Sequence, residues 1–175
     1  GLPFGTEVTV SEIGFPVVPG TEWDAAPVWS IDGEPATAPL TFTIDGTTLV
    51  EVGAENTATR VFGSFELTKF VTGAAERIPD DASFTVEYST DGGETWEVLP
   101  AITADARTIA GPDLLVGTTV LVREAAPAAG ADFEWGTPVF VVDGVTQGAT
   151  ASFTIAEADQ LVEIELTNEA LPLDG

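Results

Sequence analysis

Phe65-Glu66-Leu67-Thr68-Lys69-Phe70-Val71 alternates apolar and polar side chains, yet a lysine occupies the face that carries Phe65, Leu67 and Val71. Successive side chains of a strand point to opposite faces, so this register aims an amine at a core, where its desolvation is costly unless it is paired, neutralised or consumed. Lys69 is the only lysine in the chain. Two further stripes are interrupted in the same way. Val120 and Val122 share a face with Glu124, and Val162, Ile164 and Leu166 share one with Asn168. A lysine, a glutamate and an asparagine are each predicted to point inward from a strand.

The rest of the chain reads as strands as well. Runs rich in Val, Thr, Phe and Ile alternate with polar residues, and Asp-Gly pairs beginning at Asp32, Asp45, Asp91 and Asp143 supply tight-turn chemistry. Alanine-containing stretches at 101–110 and 125–131 are short and flanked by Pro and Gly, which favours loops or single turns. The expected fold class is all-β: an antiparallel β-sandwich of immunoglobulin-like shape, with a barrel as the alternative.

The modules come in tandem. Gly5-Thr6 matches Gly117-Thr118, Val8, Val10 and Glu12 match Val120, Val122 and Glu124, and Trp23 matches Trp135. Val50-Glu51-Val52 before Asn56 likewise matches Val162-Glu163-Ile164 before Asn168, at an offset of about 112 residues throughout. Residues 63–112 have no counterpart in the first copy. The expected organisation is therefore the C-terminal half of a first module, lacking its first strands, over 1–61; a complete module over 62–172; and the start of a linker to a further module over 173–175. Glu12 and Asn56 repeat the positions of Glu124 and Asn168 with no lysine to accompany them. Residues 1–61 are expected to need a strand-donating segment or a neighbouring module of the same parent protein.

Composition narrows the function classes. The chain carries 29 acidic residues against 5 basic ones, a net charge of -24, so nucleic acid and anionic membrane are repelled. Cysteine, methionine and histidine are absent, which removes thiol nucleophiles, imidazole bases and the common transition-metal ligands. No Asp-x-Asp-x-Asp-Gly calcium loop occurs. Nothing calls for a cofactor or a metal, and the reading is not an enzyme. Ser89 to Trp96 fits the Asp-box pattern of sialidase-like propellers, in one copy, and reads as a hairpin in which Asp91 caps the turn and Trp96 packs beneath it.

The 63–170 segment resembles the CnaB-type, immunoglobulin-like repeat modules of Gram-positive, and in particular actinobacterial, cell-surface proteins. The resemblance rests on Gly63-Ser64-Phe65-Glu66-Leu67-Thr68-Lys69, on Val120-Leu121-Val122-Arg123-Glu124-Ala125-Ala126-Pro127 and on Leu166-Thr167-Asn168. It implies an intramolecular isopeptide bond between Lys69 and Asn168, promoted by Glu124, in an extracellular stalk, adhesin or fibre module attached to the cell wall or cell surface. The bland alternative is a buried Lys69–Glu124 ion pair with Asn168 hydrogen-bonded nearby, although such pairs commonly fail to offset their desolvation cost. A different class of function is a ligand-binding sandwich without a crosslink, recognising a glycan or host protein through loops at one end, with Trp96 or Trp135 as contacts.

Overall fold

The computed structural model describes residues 1–46, 49–103 and 106–173. It divides the chain into two compact units, Gly1–Arg60 and Val61–Gly175. Among the described residues, no helix is long and apolar enough to cross a membrane.

The first unit holds β1 (Glu7–Val10), β2 (Thr21–Trp23), β3 (Val28–Ile31), β4 (Glu34–Ala36), β5 (Leu40–Thr43), β6 (Val52–Glu55) and β7 (Ala58–Arg60). They form three small antiparallel sheets: β1 with β5, β2 with β7, and β4-β3-β6. The second unit holds β8 (Phe62–Gly73), a single 3-10 turn at Ala75–Arg77, β9 (Val86–Ser89), β10 (Glu97–Val98), β11 (Thr108–Ala110) and β12 (Leu114–Leu115). It continues with β13 (Thr119–Glu124), β14 (Phe133–Trp135), β15 (Val139–Val142), β16 (Val145–Gly148), β17 (Thr150–Thr154) and β18 (Leu161–Pro172).

The second unit is a two-sheet sandwich. One sheet runs β10-β9-β13-β17, and the other runs β11-β8-β18-β15-β16, with β12 also on β8 and β14 on β18. Inward residues of both sheets build one core, including Phe65, Leu67, Val86, Val120, Val122, Phe140, Ile155, Val162, Ile164 and Leu166. The alternation that places them there is visible along β8 and β18, where buried residues recur at every second position.

One pairing departs from the antiparallel expectation. The first and last strands of the sandwich, β8 and β18, lie side by side in parallel over a long register from Leu161 opposite Ser64 to Ala170 opposite Gly73. Parallel neighbours need a long crossover, and here everything between β8 and β18 serves as that connection.

The Asp-Gly pairs at Asp32, Asp91 and Asp143 behave in two ways. Asp32-Gly33 and Asp143-Gly144 take positive φ at both residues (49° and 84°, 46° and 79°) and close the β3–β4 and β15–β16 hairpins, as a type I′ turn requires. Asp91 instead sits in the longer loop between β9 and β10. Its carboxylate accepts hydrogen bonds from the Thr95 N–H and hydroxyl and from the Ser89 hydroxyl, which hold it well below the usual carboxylate range. Trp96 Nε1 donates to the Gly93 carbonyl, and the Arg123 guanidinium lies 3.8 Å over the Trp96 ring. The Asp-box segment is thus a self-satisfied turn.

Candidate crosslinking site

Three strands deliver the three polar residues singled out in the sequence. Lys69 lies on β8 opposite Leu166 of β18, and Asn168 lies opposite Val71, so the two occupy the same face of adjacent parallel strands, two positions apart. Glu124 closes β13 in the facing sheet, immediately before the chain leaves as Ala125-Ala126-Pro127. Each obeys the alternation of its own strand; the β8–β18 register and the packing of the two sheets make them meet.

The geometry is closed and dry. Lys69 Nζ donates to Glu124 Oε1 at 2.8 Å, and Asn168 Nδ2 donates to Glu124 Oε2 at 2.7 Å. The Lys69 and Glu124 side chains are 2% and 1% exposed, and Asn168 is 1% exposed. The amine also stands 4.6 Å from the centroid of the Phe84 ring. Burial lowers the Lys69 pKa, outweighing the hydrogen bond and charge of Glu124, which act to raise it. A larger neutral fraction makes the amine a better nucleophile.

Asn168 Oδ1 is buried with no hydrogen-bond partner. An orphaned carbonyl oxygen in a dry core costs about 1–3 kcal/mol, and such groups mark places where polar atoms serve something other than packing. A carboxyl wedged between an amine and a carboxamide can exchange protons with both.

Phe84 was not singled out in the sequence as part of the site. Its signal was present: Phe84, Val86 and Tyr88 alternate as an inward stripe, and the first of them lies under the amine.

Glu12 and Asn56 are also brought together, with Asn56 Nδ2 donating to Glu12 Oε1 at 2.9 Å. Both are solvent-exposed. The repeat extends to the turns and anchors: Trp23 Nε1 donates to the Pro16 carbonyl as Trp135 Nε1 does to that of Ala128. Trp135 further packs edge-on against Phe84 and Phe133.

Comparison with solved structures finds a similar shape in Gram-positive pilins. The major pilin protein (T3.2) of Streptococcus pyogenes serotype GAS13637 matches with a TM-score of 0.53 and 17% identity, covering 96% of this chain and 69% of that one. The major pilin from Streptococcus pyogenes matches with a TM-score of 0.50 and 15% identity, over 96% of this chain and 70% of that one. A Mobiluncus mulieris adhesin containing intramolecular disulfide, isopeptide and ester bond cross-links matches at 0.47 and 17%, over 78% of this chain. The chain spans 50% of the length of that adhesin. At these identities the likeness to the two pilins shows the fold, a pilin-like β-sandwich. Comparison with curated protein sequences finds no match. A family profile, described as Domain of unknown function (DUF5979), matches residues 65–170, from the start of the β8 core stripe to the end of the β18 one. The chain belongs to that family.

Proposed function

We propose that this chain is a structural module of a Gram-positive surface protein (a stalk, fibre or adhesin segment of CnaB type) rigidified by a self-formed isopeptide bond between Lys69 and Asn168. The observation that carries the reading is the meeting of Lys69, Glu124 and Asn168 at hydrogen-bond distance in a dry core, on the first and last strands of one sandwich. The pilin-like fold and the net charge of -24 agree with an extracellular, cell-surface setting. The module is not an enzyme in this reading, because its reaction consumes its own residues once.

The step balances without a cofactor. Proton transfer along the 2.8 Å Lys69–Glu124 hydrogen bond leaves a neutral amine and a carboxylic acid. The amine lone pair attacks Cγ of Asn168, forming the Nζ–Cγ bond, while the acid polarises the carboxamide. Glu124 then moves the proton lost by Nζ to Nδ2; the Cγ–Nδ2 bond breaks and its electron pair leaves with ammonia. Folding supplies the encounter, replacing collision of two weak reactants by fixed contact.

Trypsin offers a direct test, because cleavage is confined to Arg60, Lys69, Arg77, Arg107 and Arg123. An amidated Lys69 resists cleavage. The bonded chain therefore yields residues 61–77 joined to residues 124–175, lighter than their sum by one ammonia. Free cleavage at Lys69, with no branched product, would contradict the proposal.

A further inference from the structure

Residues 74–84 lead from β8 towards β9 and pass beside the Lys69 amine. At one end the Ala74 N–H donates to the Ala170 carbonyl of β18 at 2.9 Å, and at the other Phe84 and Ile102 exchange backbone hydrogen bonds of 2.9 and 3.1 Å. Between these ends the backbone bonds are local, from Arg77 to Ala74, Ile78 to Ala75 and Ala82 to Pro79. Among the described residues, one hydrogen bond ties residues 75–83 to another element: Arg77 Nη1 donates to the Asp132 carbonyl at 2.7 Å. The same carbonyl accepts the Leu173 N–H at 2.9 Å, so the arginine ends on backbone that is already fixed to the exit of β18.

Packing does little to hold the segment. A cavity of about 200 Å³ is lined by Lys69, Val71, Ile78, Ala82, Phe84 and Arg107, and another of about 290 Å³ by Ile78, Ala82, Phe84, Pro127, Phe133 and Trp135. Ile78, Ala82 and Phe84 border both, so the segment is the wall between them. A wall with space on either side forfeits the van der Waals contacts that would fix it in a close-packed core. Its position therefore depends on the one side-chain hydrogen bond that crosses to another element.

We propose that Arg77 is a positioning residue for the crosslink: by latching residues 75–83 to Asp132 it keeps this wall closed beside Lys69 and the amine out of water. The inference rests on the Lys69–Asn168 reading and adds to it a residue outside the three reacting groups. Phe84, whose ring stands 4.6 Å from the amine, closes the latched segment. With the latch released the wall can yield into either cavity, and water reaches Nζ. Relief of desolvation favours the charged amine, so the Lys69 pKa rises and its nucleophilic fraction falls. The other ionisable groups that face the amine are Glu124 from β13 and, lining the same cavity, Asp80 and Arg107. β18 contributes Asn168, which does not titrate.

Because Lys69 is the only lysine, a chain labelled with 13C at lysine Cε gives one NMR signal that follows its protonation. Asn168→Ala keeps the amine free for this titration. In that background Arg77→Ala should raise the Lys69 midpoint by about one pH unit, and Arg77→Gln, which retains part of the stem, should move it the same way. Loss of the Arg77 charge acts in the same direction, but 1 M salt, with a Debye length of about 3 Å, screens that part and leaves the desolvation part. Circular dichroism separates an opened wall from an unfolded chain. In the slow Glu124→Gln background, Arg77→Ala should delay the loss of ammonia a further ~10-fold at neutral pH, the factor set by one unit of pKa. Coincident titrations, a shift that vanishes at 1 M salt, or unfolding of both Arg77 variants would overturn the latch, while a crosslinked wild type would keep the Lys69–Asn168 reading. A raised midpoint with an unchanged rate of ammonia loss would overturn the positioning role. A wild type of full mass would remove the crosslink and the part of Arg77 in it together.

Discussion

Pulling on the sandwich through its two ends should lengthen it hardly at all. β8 and β18 run in parallel, so a load applied before Phe62 and after Pro172 enters one strand and leaves by its neighbour. With Lys69 bonded to Asn168, the load passes along β8, through the bond and out along β18. The ~100 residues between them, at about 3.3–3.6 Å each, withhold ~350 Å of chain from stretching. The path that remains follows strands that are already extended, so it gains only a few Å. Because the chain has no cysteine, handles placed by Arg60→Cys and Leu173→Cys are unique attachment points. The comparison chain is Lys69→Met with Glu124→Gln, since removing the lysine alone would strand a buried carboxylate at a cost of about 3–5 kcal/mol. Single-molecule stretching should show one unfolding event of ~300–350 Å in the double variant and none of that size in the wild type. A wild-type event of that length would refute the bypass.

Other outcomes follow from individual contacts. Glu124→Gln should leave the sandwich folded and slow bond formation by ~100-fold or more. Because burial lowers the Lys69 pKa, the residual rate should rise with pH until the amine is neutral and then level off; a flat profile in a mass-spectrometric time course would contradict this. Tyr88, whose hydroxyl donates to Glu97 Oε2 at 2.6 Å, has its pKa pushed up to about 12 by burial and then by Glu97. A phenol pKa raised on folding contributes stability that is complete below about pH 10 and is lost as pH rises through 12. Denaturant unfolding of the unbonded double variant should therefore weaken over that window, and Tyr88→Phe should flatten the trend. A Cβ added at Gly111 would land on the Phe65 ring, which is held between Tyr88 and Phe153. Gly111→Ala should cost about 1–3 kcal/mol in the same measurement, and no change would mean that the ring has room.

Much of the site was legible because strand alternation is a local property. Lys69, Glu124 and Asn168 each break an apolar stripe of period two, and a stripe read from sequence fixes which face a side chain takes. The repeat added the Glu12–Asn56 pair, which meets as Glu124 and Asn168 do. Pairing partners are a different matter. Nothing in β8 or β18 taken alone says that they adjoin, still less that they run in parallel, because that depends on how the long connection between them folds. Phe84 went unremarked for a related reason: an apolar residue at an inward position looks like ordinary core until a cation is known to lie over it. Asp91-Gly92 carries the same dipeptide as Asp32-Gly33 but not the same turn, because Ser89 and Thr95 capture the carboxylate in a longer loop.

The bond would close a loop of roughly 100 residues, which in the chain-entropy account used for disulfides corresponds to about 4–5 kcal/mol of stabilisation. In a chain without cysteine it would also persist under reducing conditions. Both consequences depend on one covalent change, and the intact mass of the denatured chain reads it directly. The account predicts a mass lower than the sum of the residues by one ammonia, restored to the full sum by Lys69→Met with Glu124→Gln. A wild-type mass equal to the full sum would contradict it.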